Sequence, residues 1–204
     1  MSTYPLTVSP DTSVIEAMKI MRTHKIRKLP VTKGRELVGL VTEQDLLRVS
    51  PSPATTLSVF EQDHLLSKLP VKQAMVNRPV TIEPEATIEE AALLMREHKV
   101  SCLPVLENGE LVGIITQTDI FDALLRIFGV RRAGRRILLE AEDRIGALWE
   151  ITGEVKDAGI NIVSALTEEK GEGKAAVLIR VQADNVEGLV QRLEQKGYKI
   201  INVR

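Results

Sequence analysis

The 204-residue chain has one cysteine, Cys102, which excludes an intramolecular disulfide framework and leaves no multi-cysteine zinc site. A lone thiol fits a reducing compartment, and a cytoplasmic location is expected. Long apolar runs are also missing. Glu, Lys, Arg or Gly interrupts every hydrophobic segment well short of the roughly 18 residues expected of a membrane span. No charged-then-apolar leader with a small-residue cleavage site follows Met1, so neither export nor membrane association is expected. Aromatic residues make up 3% with a single Trp, which leaves few platforms for stacking single-stranded bases. Nor is there an excess of either charge. With 27 Lys and Arg against 28 Asp and Glu, the net charge of -1 argues against a nucleic-acid partner. What remains is 44% hydrophobic and able to bury real cores, and at roughly 100 to 200 residues per domain it allows one large domain or two modest ones.

An internal repeat organises the first two thirds. Gly39 and Gly113, Asp45 and Asp119, Pro30 and Pro104, and His24 and His98 share one offset of 74 residues, and the register runs without a gap from Pro5 through Leu47. A repeat of this kind is one supersecondary unit used twice, with two half-cores that need each other to close. In each copy a short extended piece, Thr7 to Pro10 or Thr81 to Pro84, precedes Ser13-x-x-Glu16 or Thr87-x-x-Glu90, the pattern of a capping box at a helix start. Val14, Ala17, Met18 and Met21, and likewise Ile88, Ala91, Ala92 and Met95, fall at i, i+3, i+4 and i+7, one buried stripe per helix. Leu29-Pro30-Val31 and Leu103-Pro104-Val105 then read as strands. Gly34 and Asn108-Gly109 turn them into Leu37 to Val41 and Leu111 to Ile115, and a second helix starts after Thr42 or Thr116. The unit is strand-helix-strand-strand-helix.

Between the copies, Ser50-Pro51-Ser52-Pro53 ends the first unit, and Leu57, Phe60, Leu65, Leu66 and Leu69 suggest a short amphipathic helix that serves as a packing strut. Val71 to Met75 lead into the second copy. Met1 aligns with Met75, so the lead-in strand or turn of the first copy is expected to be missing. The expected boundaries are 1–50 for the first repeat, 51–70 for the linker, 71–128 for the second repeat, 129–135 for a basic hinge and 136–204 for a different module. That module reads as strand Ile137 to Ala141, helix Ile145 to Ala158, strand Ile160 to Leu166, hairpin partner Ala175 to Val181, helix Asn185 to Lys196 and strand Tyr198 to Val203. The order is βαββαβ, and the fold class is α+β.

The chemistry concentrates where Gly39-x-x-Thr42-x-x-Asp45 and Gly113-x-x-Thr116-x-x-Asp119 join a strand to a helix. Glycine permits close approach of a ligand, the free amides at a helix start attract phosphate, and an Asp one turn later can accept from paired ribose hydroxyls. A bland reading stands beside this one, in which Thr only caps and Asp only complements the helix dipole. Duplication at a fixed register favours the functional reading.

These paired units, with Leu-Pro-Val upstream of each motif, resemble a tandem CBS (cystathionine-β-synthase-type) pair, or Bateman module, over about Pro5 to Arg126. The resemblance implies two clefts that hold AMP, ADP, ATP or another adenosine compound as regulatory ligands, with no cofactor required. Thr42 and Asp45 would serve one cleft, and Thr116 and Asp119 the other. Asp143 to Leu148 followed by Gly159 to Ile162 resembles a ferredoxin-like ACT domain, although Ile145 stands where that family usually has Pro. This implies an effector site, often for an amino acid, around Gly146 and Asn161 at a dimer interface. The succession of modules looks like the acetoin-utilisation accessory protein B type, which implies a homodimer and an unidentified protein target.

The two clefts differ in charge, because Ile26-Arg27-Lys28-Leu29 in the first copy stands against Val100-Ser101-Cys102-Leu103 in the second. Arg27 and Lys28 are expected to favour the more highly phosphorylated nucleotide, against the alternative that both point to water. His24, His64 and His98 form no metal-ligand spacing, and Cys102 is read as a packed thiol. The Arg131 to Arg136 cluster is read as a solvated hinge, with a phosphate clamp or partner contact as the functional alternative. The leading functional reading is a non-enzymatic ligand sensor. A dimerising assembly adaptor without nucleotide is the alternative, and an enzyme finds no nucleophile-base pair or Walker loop to support it.

Overall fold

The alternation of capped apolar stripes and β-rich hairpins produces the expected elements twice over. The computed structural model describes residues 2–51 and 58–204. In chain order the first repeat holds β1 (Ser2–Thr3), α1 (Val14–His24), β2 (Lys28–Lys33), β3 (Glu36–Thr42) and α2 (Glu43–Arg48). Next come α3 (Val59–Lys68) and a 3-10 turn (Val71–Gln73). The second repeat holds β4 (Val76–Asn77), α4 (Ile88–Glu97), β5 (Cys102–Glu107), β6 (Glu110–Thr116) and α5 (Gln117–Ile127). Val8 and Ile82, on the extended pieces, bridge Val31 and Val105 in parallel. Ser13 Oγ accepts from Glu16 N at 3.3 Å, while Thr87 and Glu90 complete both halves of the capping box. Ala17, Met21, Ala91 and Met95 are buried, as the helical stripes require.

One antiparallel sheet ties the copies together in the order β1-β6-β3-β2, with β4 on β3 and β5 on β6. The lead-in strands are exchanged. Ser2 and Thr3 of the first copy pair with Ile114 and Gly113 of the second, and Val76 and Asn77 of the second pair with Leu40 and Gly39 of the first. This corrects the expectation that the first copy lacks its lead-in strand. Val71 is fully buried in the first repeat's core with Val14, Leu29, Val31, Val41 and Leu46, although the sequence reads it as a lead into the second copy. Its amide donates to Thr12 O at 2.8 Å, which fastens it there.

α3 follows the expected strut, but the stripe differs. Leu66 and Leu69 pack on the first core, whereas Phe60 is 87% exposed and Leu65 51% exposed. The helix therefore turns a narrower apolar face inward than its five expected positions require. Leu57, Ser52 and Pro53 lie outside the described residues.

The chain divides into two compact units, Met1–Ile120 and Phe121–Arg204, so the division falls inside α5, ahead of the 129–135 connector. The second unit continues with β7 (Arg135–Glu142), α6 (Ala147–Asp157), β8 (Ile162–Gly171), β9 (Lys174–Val181), α7 (Glu187–Gln195) and β10 (Lys199–Val203). Its antiparallel sheet has the order β10-β7-β9-β8. α6 and α7 cover one face, burying Ile137, Leu139, Ile151, Val155, Ile179, Leu189 and Leu193 together. The connector read as a hinge is fastened to this unit. A side chain at Gly129 or Gly134 would collide with Val163 or with Val181 O, and Ser164 Oγ donates to Phe128 O at 3.1 Å.

Gly39 is the point where the exchanged strand crosses β3. A Cβ there would lie 2.5 Å from Met75 Sδ and 3.0 Å from Val76 O. Gly39→Ala is expected to destabilise the protein by about 1–3 kcal/mol through overpacking. Met75→Ala in the same chain should relieve part of that cost, so guanidinium unfolding of the single and double variants would show a non-additive cycle. Full additivity would contradict this account.

Candidate functional site

The exchange of lead-in strands builds a cleft from both repeats. A cavity of about 610 Å³ is lined by the Ser2 to Leu6 lead of the first copy, the Lys25 to Lys28 turn after α1, and Ile114, Thr116 and Thr118 of the second copy. Arg27 and Lys28 thus line the cavity with Thr116 of the second copy, whereas Thr42, Asp45 and Asp119 are not among its lining residues. Arg27 is largely exposed, and its Nε lies 3.9 Å from Glu43 Oε2, a surface pair of small worth. Lys28 is half-buried and donates from Nζ to Ser101 O at 3.0 Å. The same carbonyl accepts from Gln117 N at 3.1 Å, at the start of α5, so Lys28 reaches the helix end that carries Thr116.

Both Thr-x-x-Asp motifs have the same geometry. Thr42 N and Oγ1 donate to Asp45 Oδ2 at 2.9 and 2.6 Å, and Asp45 N donates to Thr42 Oγ1 at 3.3 Å. Thr116 and Asp119 repeat these contacts at 2.8, 2.6 and 3.3 Å. The capping role therefore exists in both copies and holds each carboxylate in a defined orientation. Asp45 keeps its Oδ1 3.9 Å from Arg48 Nη1. Glycine has a different reason from the one read in sequence: at Gly39 the space without a Cβ is filled by Met75 and Val76, a neighbouring stretch of chain.

The sequence reading missed Thr118 and the Ser2 to Leu6 lead. A signal for the lead is visible in backbone conformation. Tyr4 and Arg78, one repeat apart and each just before a proline, both adopt positive φ (49° and 50°), as do Lys25 and Lys99 (53° and 54°). Cys102 is buried, and burial pushes its thiol up, with Lys28 opposing and Asp45 adding. That is the state of a packed thiol. His24 closes α1, and His98 caps α4. Among the described residues no cluster of His, Cys, Asp or Glu could hold a metal ion.

In the second unit Gly146 caps α6 with φ 89°, and Asn161 lies beyond its other end, where its carbonyl accepts from Gln182 N. α6 has 11 residues, so at 1.5 Å per residue about 16 Å separates the two within one chain. They do not form one pocket in a single chain. Around the turn, Arg144 forks onto Glu150 at 2.9 and 2.7 Å, and Tyr198 Oη adds a third donor to Glu150 at 3.0 Å.

A CBS pair followed by a βαββαβ ACT domain is the class that this fold and cleft define. The chain belongs to the CBS-domain family, which matches residues 1–52 and 71–126, and residues 133–204 match the TTHA0829-like ACT domain. Inosine-5′-monophosphate dehydrogenase of Korarchaeum cryptofilum is 42% identical over 117 residues, 57% of this chain, but the chain spans only 21% of that enzyme. A CBS domain-containing protein of Dictyostelium discoideum, DDB_G0289609, is 34% identical over 129 residues, 62% of this chain and 89% of its own length. Among solved structures, CBSX2 in complex with AMP is 32% identical with a TM-score of 0.51, covering 62% of this chain and 94% of its own. A candidate acetoin utilization protein, AcuB, from Vibrio cholerae is 27% identical with a TM-score of 0.52, covering 64% and 90%. Among the described residues, no helix is long and apolar enough to cross a membrane.

The Arg144 and Tyr198 donors hold the Glu150 carboxyl at about 2, below its ordinary 4.5. A carboxylate depressed in the folded state contributes stability that is present above its ordinary value and lost as pH falls toward the folded value. The second unit is therefore expected to lose stability between about pH 5 and pH 2, and Glu150→Gln should flatten that slope. Trp149 fluorescence through a denaturant series at each pH is the measurement. An unchanged slope in the variant would remove Glu150 from the acid response.

Proposed function

We propose that this chain is a non-catalytic regulatory sensor whose CBS pair binds an adenosine nucleotide, AMP, ADP or ATP. The observation that carries the reading is the cavity of about 610 Å³ in which Thr116 and Thr118 of one repeat face Lys25, Arg27 and Lys28 of the other. Its size suits a small ligand, helix-start amides and cations suit phosphates, and Asp119 follows one turn after Thr116 to accept from ribose. Thr42 and Asp45 serve the second cleft, while Gly39 and Gly113 admit the exchanged strands. The likeness to CBSX2, solved with AMP, supports the adenosine assignment. Arg27 and Lys28 favour nucleotides with more phosphates. The ACT domain takes a small effector, with Gly146 and Asn161 contributed by different copies of a homodimer, and the likeness to AcuB supports a target in acetoin metabolism.

Native mass spectrometry and calorimetry with AMP, ADP and ATP test this reading. Nucleotide at 100 times Kd should stabilise the fold by about 2.7 kcal/mol. Asp45→Asn and Asp119→Asn, which retain an oxygen for the cap, should each weaken one site by at least about tenfold. Arg27→Ala with Lys28→Ala should lower the preference for ATP over AMP. If no nucleotide raises the melting temperature, the assembly-adaptor reading takes its place.

A further inference from the structure

The face of the second unit's sheet opposite α6 and α7 carries an unusual pairing. Arg136 on β7 and Arg180 on β9 are direct cross-strand partners, so their side chains leave the same face side by side. Like charges placed directly opposite each other destabilise a sheet. Among the described residues no carboxylate is within ion-pair distance of either guanidinium, and the buried Arg180 Nε has no hydrogen-bond partner. The Arg180 stem cannot swing away freely, since Gly129 packs close to its Cδ and is held there by the bond from Ser164 Oγ to Phe128 O.

The next row along the strands is apolar, with Leu138 and Leu166 each paired to Leu178. The row beyond is Glu140, Ala176 and Glu168, whose carboxylates already pair with Lys174 and Lys170 at 3.1 and 2.6 Å. Phe128, Val130 and Ile201 close the sides of a groove of about 420 Å³. The face thus reads, row by row, as two unneutralised cations, an apolar floor and a closed set of ion pairs.

We propose that this groove binds a monocarboxylate with an unbranched apolar tail, its carboxylate bridging Arg136 and Arg180 and its tail lying over Leu138, Leu178 and Leu166. Arg is suited to the bidentate grip, and the apolar floor excludes the water that would weaken it. Rows on one face are spaced about 7 Å apart, so the floor ends within reach of a tail on the order of six to eight carbons. The ammonium of an amino acid would meet the same two cations, so a free acid is favoured over an amino acid. The site is separate from the nucleotide cleft and does not depend on it.

Calorimetry on the full chain with hexanoate, octanoate, methyl hexanoate and leucine tests the proposal. Both acids should bind, and methyl hexanoate and leucine should bind at least about tenfold more weakly, since each loses or offsets the charge that the arginines read. Arg180→Met keeps the apolar stem and should weaken octanoate at least about tenfold, while its thermal midpoint holds or rises as the like-charge contact disappears. If that variant fails to fold, Arg136→Met reads the same loss from the other side of the pair. Absence of binding by both acids overturns the site, as does tighter binding of leucine. If Arg180→Met instead changes the sedimentation mass and no acid binds, a second copy covers the face and the proposal fails.

Discussion

The exchange of two-residue strands between the repeats is the constraint on which the first unit depends. Because Ser2–Thr3 pairs with β6 and Val76–Asn77 pairs with β3, neither half can complete its edge alone. The two hairpins also meet directly, through the pairing of Glu36 with Glu110 eased by Arg35 at 3.2 Å and through the buried cluster of Leu40, Cys102 and Ile114. Exchange also explains the glycine at Gly39, where any side chain would meet the crossing strand. It decides the composition of the cavity as well: Thr116 of the second repeat faces the lead-in and the post-helix turn of the first.

That crossed construction sets two closely matching backbones beside a difference in side-chain charge. The backbone repeats closely, down to the paired left-handed residues at Tyr4 and Arg78 and at Lys25 and Lys99. The side chains do not. Lys28 reaches Ser101 O across the pseudo-symmetry, whereas its counterpart Cys102 is a buried neutral thiol that cannot reach back. Arg27 and Lys28 line a cavity with Thr116, while Lys28 also pairs with Thr42 across β2 and β3 and Arg27 stands by Glu43. The two motifs thus share one hydrogen-bonding geometry, while the turns that follow α1 and α4 differ in charge.

The repeat, the capped helices, the hairpins and the βαββαβ order were legible in sequence because each is a local signal. A hydroxyl three residues before an acid, an apolar residue every three to four positions, or Asn108-Gly109 between β-rich segments acts on its immediate neighbours. The exchanged strands were not legible, since a two-residue strand has no periodicity and its partner is chosen by packing between distant segments. Phe60 and Leu65 misled for a related reason: an apolar residue on a helix need not be buried, and only the available groove decides which positions turn inward. Thr42, Asp45, Thr116 and Asp119 were found, but their mutual hydrogen bonds make them caps first, so the motif alone was never sufficient to establish a ligand. Of the four, Thr116 lines the cavity of about 610 Å³, a placement that spacing alone could not supply.

The second unit makes the same point through its arginines. Arg144 sits in a surface turn and is fully engaged, forked onto a carboxylate that a tyrosine also holds. Arg136 and Arg180 are in a less forgiving place, on a sheet face beside leucines, where the Arg180 Nε loses water without gaining a partner. Charged pairs that close on themselves, such as Glu140 with Lys174, need nothing further from their surroundings. A like-charged pair over an apolar floor is different, because its local repulsion is relieved by one anion with an apolar body. The physical distinction between charge that is satisfied and charge that is held unsatisfied thus separates the parts of this domain that only maintain the fold from the part equipped to receive a ligand.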